Sequence, residues 1–145
     1  MFNLFEYLET ITPAFPEIGA TYKASGLSRL EELLTNLRSN PKCCVVARDS
    51  GDGFLNLRGK RLDTAYHLFY VFVKAKLQDH DNILQAKREA MATGVSLIEK
   101  FKEDSEDFGD PTYGFDDSRV DYLELGPVAT DYYGYSFSFL MEHSI

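Results

Sequence analysis

TAYHLFYVFVKAK, residues 64–76, is apolar on both sides when read two residues at a time. One side carries Tyr66, Leu68, Tyr70 and Phe72; the other carries Ala65, Phe69, Val71, Val73 and Ala75, with His67 among them. A strand with two apolar sides lies inside a sheet that has dry layers above and below it. The C-terminal stretch DYYGYSFSFLMEHSI, residues 131–145, keeps the period of two. There Tyr133, Tyr135, Phe137, Phe139 and Met141 point one way, and Tyr132, Gly134, Ser136, Ser138 and Glu142 the other.

Upstream of residue 64, the segments CCVVAR and FLNLR read as strands, separated by the turns DSGDG and GKRLD. Their Gly and Asp residues tolerate positive φ. Earlier still, Leu27, Leu30, Leu33, Leu34 and Leu37 recur at helical spacing. Ser28 with Glu31 or Glu32 resembles an N-cap arrangement, and Asn40-Pro41 predicts the stop. Residues 2–9 suit a short helix ended by Pro13 and Pro16, and a turn-rich stretch follows it. Downstream, residues 79–103 predict the longest helix, with Ile83, Leu84, Ala90, Met91, Gly94, Val95, Ile98 and Phe101 along its apolar stripe. Gly94 on that stripe is tolerable where a helix must approach a sheet closely. RVDYLEL, the turn GPVATD and the aromatic strand close the chain as a hairpin. The expected fold is α+β, one domain over residues 1–145. It has a single antiparallel or mixed sheet of about five strands, packed by one long helix, with N-terminal helices.

The chain of 145 residues is long enough to bury a core without disulfide or metal. No apolar run reaches the roughly 18–20 residues that cross a bilayer, so no membrane association is expected. The opening MFNLFEYLET carries two glutamates and no positive n-region, unlike a secretory signal. Cys43 and Cys44 are adjacent and have no other cysteine to pair with, which suits a reducing compartment. The net charge of −8 is concentrated: Glu103, Asp104, Glu106, Asp107, Asp110, Asp116, Asp117 and Asp121 face only Arg119 within one segment. With no basic patch elsewhere to grip phosphates, specific nucleic-acid binding is not expected.

No residue pattern names a reaction, and neither enzyme activity, cofactor nor metal is expected. His67, His80 and His143 lack the close paired spacing of zinc sites, and His67 reads as a hydrogen-bonded strand histidine. DSGDG lacks the twelfth-position glutamate of a calcium loop, where Lys60 stands. Glycines 51, 53 and 59 are not followed by the lysine-serine or lysine-threonine pair of a phosphate loop. The two cysteines read as small core hydrophobes.

Tyr66, Tyr70, Phe72, Tyr133, Tyr135, Phe137 and Phe139 carry more ring surface than one helix-covered layer readily hides, at about 150–250 Å² each. Two enclosures are open. Either the N-terminal helices fold over the second face and all the rings are core, or part of the sheet meets another subunit. The nine tyrosines favour the second, because a tyrosine joins apolar area to a polar tip. Tyr66, Tyr70, Phe72, Tyr133, Tyr135 and Phe137 are the expected interface residues.

Helices first, a meander ending in HLFYVFV, one long helix and a final hairpin YLELGPVATDYYGYSFSF together resemble small tail-terminator and tail-completion proteins of long-tailed bacteriophages and prophages. Gly126-Pro127, Gly134 and the alternation after it are the most specific parts of the likeness. The resemblance implies a structural subunit in a homo-oligomeric ring, commonly of six copies, that ends the tail tube or joins it to the head. Its partners would be other copies of itself, tail-tube proteins and head-connector proteins. It would reside in the bacterial cytoplasm during assembly and then in the virion tail. On that reading the acidic loop carrying Asp104, Asp107, Asp110, Asp116 and Asp117 faces the ring's lumen or the joining surface. The alternative is an intracellular binding module that uses the aromatic sheet face for a peptide or small ligand.

Overall fold

The computed structural model of the chain describes residues 2–37, 41–49, 51–107 and 109–144, without the Leu27 side chain. At its centre is β4 (Leu62–Lys74), flanked along its whole length by the antiparallel β6 (Tyr132–Ser144). On the other side of β4, β2 (Cys43–Arg48) pairs with residues 69–73 and β3 (Asp52–Asn56) with residues 62–66. These two short strands therefore follow one another along the same edge. β1 (Ala20–Ala24) adds parallel to β2, and β5 (Asp121–Val128) antiparallel to β6. The result is an α+β fold around a six-stranded mixed sheet of order β1-β2-β4-β6-β5, with β3 off that path.

Asn3 accepts the Glu6 N–H at 3.0 Å and opens α1 (Leu4–Ile11), whose buried residues Leu4, Tyr7, Leu8 and Ile11 fall on one helical stripe. A 3₁₀ turn with Pro13 at its start ends the helix. α2 (Leu27–Thr35) is the crossover that the parallel pair β1 and β2 requires. It starts directly after Gly26 without a side-chain cap, so Ser28 lies inside the helix and the expected cap does not form. The helix ends before the expected stop at Asn40-Pro41, of which Asn40 is outside the described residues. Asp79 accepts the Asn82 N–H at 3.0 Å and caps α3 (His80–Ser105).

Several strand boundaries differ from expectation, and β4 itself begins at Leu62, inside the expected GKRLD turn. ATYKA, within the stretch read as turns, is β1, a strand made by pairing with β2 rather than by its own weak alternation. β3 begins at Asp52, inside the expected DSGDG turn, of which Ser50 is outside the described residues. Gly126 and Pro127, joined by a cis peptide bond, belong to β5, where the register shifts between Leu125 and Val128. The reversal itself is made by the following residues, with Ala129 and Thr130 at φ 50° and 74°.

Two cores lie on opposite faces of the sheet. On one, α1 and α3 together cover Phe69, Val71, Val73, Tyr133, Phe137, Phe139 and Met141. On the other, Leu30 and Leu34 of α2, with Val128 and Tyr132 at the last hairpin, cover Cys44, Val46, Tyr70 and Phe72. The Tyr132 hydroxyl donates to the Pro41 carbonyl at 2.9 Å. This corrects the expected subunit interface: Tyr70, Phe72, Tyr133 and Phe137 are buried within the protomer, Tyr135 is half-buried, and only Tyr66 is exposed. Of the two enclosures left open by the residues, the structure has the first in the main: helices cover both faces, α1 and α3 sharing one and α2 with the last hairpin the other.

The buried stripe of α3 is Ala86, Ala90, Thr93, Gly94, Leu97 and Phe101, while Leu84 and Val95 of the expected stripe are exposed. The small residues in its middle let β6 rings rise into the helix. A Cβ added at Gly94 would lie 2.1 Å from Phe137 Cε2. Gly94→Ala should therefore lose stability despite a gain of about 1 kcal/mol in helix propensity, because overpacking costs about 1–3 kcal/mol. A lower denaturation midpoint is expected; an unchanged or higher one contradicts the close seating.

Candidate functional site

Seven of the ten exposed large apolar side chains among the described residues cluster in two segments. Phe54, Leu55, Leu57 and Tyr66 are on the β3–β4 hairpin; Tyr113, Tyr122 and Leu123 are on β5 and the loop before it. Apolar area gathered in this way, rather than scattered, makes the two segments candidates for a contact surface. The strand register explains the exposure. Among the described residues β3 pairs only with β4, and β5 only with β6, so each presents an open outer edge. Every residue of β3 is exposed. Phe54 lies on the same sheet face as Tyr66, their ring centroids 6.2 Å apart, and Leu55 lies on the reverse face.

The hairpin reverses through Gly59 at φ 62° and carries Arg58, Lys60 and Arg61, all exposed. Among the described residues none of these three cations forms an ion pair. Arg48 fastens the base of the hairpin, where its Nη2 donates to Asp52 Oδ1 at 2.7 Å and to the Tyr66 carbonyl at 2.9 Å.

The acidic segment starts on the last turn of α3 and leads into β5. Several of its carboxylates shape the chain. Asp110 Oδ1 accepts the N–H of Thr112 at 2.9 Å and its hydroxyl at 2.7 Å, and Asp116 Oδ1 does the same for Ser118 at 3.0 and 2.6 Å. Those bonds hold the Asp116 carboxyl below the usual carboxylate range. Asp107 accepts the Gly109 N–H at 3.0 Å, and Asp117 pairs with Lys102 at 3.5 Å. Asp104 accepts the Tyr7 hydroxyl and pairs with Lys100 at 3.0 Å. Burial, and next the bond to Asp104, push the Tyr7 hydroxyl pKa upward.

Phe115 anchors the segment, its ring 5.3 Å from that of Phe139 and 5.9 Å from that of Phe101. The Asp116 N–H donates to the Leu140 carbonyl at 3.0 Å, and the Glu142 N–H to the Gly114 carbonyl at 2.9 Å. A Cβ at Gly114 would fall 1.8 Å from that Glu142 carbonyl oxygen, so the close approach requires glycine. Of the five expected loop acids, Asp104 lies instead in the last turn of α3, while Asp107, Asp110, Asp116 and Asp117 are on a loop pinned to β6. An open cleft of about 930 Å³ separates them from the hairpin tip, with Lys60, Leu62, Tyr113, Asp116, Leu140 and Glu142 on its walls.

Among the described residues no three His, Cys, Asp or Glu side chains converge to hold a metal ion. Cys43 and Cys44 are free and buried on opposite faces, and burial pushes both thiols up to about 12. His67 lies between the Phe2 and Phe139 rings, with centroids at 5.1 and 5.8 Å. Burial, followed by the charges of His143 and Arg48, lowers its pKa to about 4. No side-chain hydrogen bond holds His67 among the described residues; aromatic packing replaces the expected bond. Sequence reasoning also missed that β4–β6 pairing sets His143 opposite Asp63, on the face of His67. There Arg48, His67 and His143 border a cleft of about 520 Å³, and Arg48 Nε and His143 Nε2 have no hydrogen-bond partner among the described residues.

Compared with known proteins, the chain matches no family model and no curated sequence.

Two outcomes test this geometry. His67 is neutral in the fold at neutral pH, whereas the unfolded chain takes up its proton below about 6.5. Its contribution is complete above that pH and is lost as pH falls towards 4, so His67→Leu should flatten the stability–pH slope between those values; parallel slopes contradict the burial. Asp104→Asn should destabilise by about 1–3 kcal/mol through its Tyr7 and Lys100 partners. Asp107→Asn, at an exposed turn, should cost under about 0.5 kcal/mol; equal losses would contradict the assignment of Asp104 as the fixed anchor.

Proposed function

We propose that this chain is a structural subunit of a bacteriophage or prophage tail, one copy of a ring that ends the tail tube or joins it to the head. The observation that carries the reading is the concentration of exposed apolar side chains on two open-edged strands of one sheet. Open edges with apolar flanks are natural templates for another chain, and heterologous contacts close into rings when the rotation between copies closes. The order of elements that carries the resemblance adds to this support. Of the two roles for the acidic loop, a contact surface is favoured over a lumen lining. Tyr113 stands exposed on the loop, with Tyr122 and Leu123 exposed on β5 directly after it, and a channel for DNA has no use for exposed apolar side chains.

The binding-module reading has a narrower footing than the aromatic face it started from, because that face is filled. What supports it is the cleft beside α1, where Arg48 Nε and His143 Nε2 lack partners among the described residues, near Phe54 and Tyr66.

Disrupting the gene in the phage or prophage that encodes the chain separates these readings. The tail role predicts heads without joined tails and tubes of unregulated length in electron micrographs. Intact virions of normal tail length would overturn it.

A further inference from the structure

The two exposed segments differ in charge and are related by strand direction. β4 and β5 run one way through the sheet, β3 and β6 the other. If a second copy continues the sheet in the same orientation, its β5 meets the open edge of β3 as an antiparallel neighbour. The ladders match in length: β3 spans Asp52–Asn56, and β5 pairs regularly over Asp121–Leu125 before its register shift.

The side chains agree with that alignment. Phe54 and Leu123 share one sheet face, and Leu55 and Tyr122 share the other, by their registers through β4 and β6. Pairing Phe54 with Leu123 brings Leu55 against Tyr122, so both faces of the new pair are apolar at its centre. An antiparallel pair also brings the chain leaving one strand to the same end as the chain entering the other. What leaves β3 is the tip with Arg58, Lys60 and Arg61; what enters β5 is the segment with Asp116 and Asp117. Three cations, without ion pairs among the described residues, thus approach an acidic segment that, from the last turn of α3 to the start of β5, carries eight acids and one arginine.

We propose that consecutive copies of this chain join head to tail, β3 of one adding to the open edge of β5 of the next, with the Arg58–Arg61 tip seated on the neighbour's acidic loop. This rests on the assembly reading and names its interface. Apolar pairs at the centre supply the binding free energy; the charges at the end set register and direction and disfavour like-to-like pairing.

A charge exchange tests the pairing. One variant carries Arg58→Glu, Lys60→Glu and Arg61→Glu; the other carries Asp117→Lys and Asp121→Lys, leaving the Asp116 turn intact. All five positions are exposed, so both should melt near the wild type. Light scattering across concentration should show the wild type assembling, at a threshold concentration that rises as salt approaches about 1 M. Each variant alone should need at least about tenfold higher concentration to assemble, and an equimolar mixture should recover the wild-type threshold. Variants that assemble like the wild type, or a mixture no better than its components, would overturn this interface while leaving assembly through another one. A wild type that stays monomeric to its solubility limit would overturn the interface too, and the gene disruption would then decide the tail role separately.

Discussion

The structure depends on how closely α3 sits on β6. Gly94, with Ala86 and Ala90 on the same stripe, leaves room for rings that a helix of ordinary bulk would hold away. Phe137 fills the space over Gly94 and stacks on Phe69 of β4, 5.3 Å between centroids. Phe101, fully buried one turn from the end of α3, meets Tyr7 of α1 at 4.8 Å and Phe139 at 5.2 Å. Helix, strand pair and N-terminal helix are thereby locked through rings, each contact adding about 0.5–1.5 kcal/mol beyond its buried area.

That seating seals the aromatic centre of the sheet and moves the unsatisfied apolar surface to its rim. α1 and α3 occupy one face and α2 the other, but none of them covers the β3–β4 hairpin or the outer edge of β5. The exposed apolar side chains are therefore a consequence of topology. β2 and β3 share one edge of β4, and β1 extends only the β2 half. The acidic loop is held at the same end of the sheet by Phe115 and by its bonds to β6, which fixes its carboxylates in one place.

Much of this was legible in the residues. The two-sided apolarity of residues 64–76 identifies the central strand, and the glycine on the long apolar stripe signals close packing. The fold class follows from those two features. β1 was not legible, because ATYKA becomes a strand only through parallel pairing with β2. Nor was the role of Gly126-Pro127, which looks like a turn but forms a bulge within β5. Most of the rings expected at a subunit contact are core instead, because helices and a hairpin share both faces, the enclosure that the residues left open beside that contact. For the interface proposed above, the signal in the residues is FLNLR and DYLEL, short apolar strands next to segments of opposite charge. What locates them at sheet edges is strand order, which pattern alone does not supply.

The central claim is that the free edges of β3 and β5 are where copies meet. Backbone amide hydrogen exchange, compared between the assembled protein and the protein dissociated by dilution, reads those edges directly. The account predicts new protection at residues 52–56 and 121–125 on assembly, with the buried strands β2 and β6 unchanged. Protection confined to α2, α3 or β1, with both edges exchanging freely in the assembly, would contradict it.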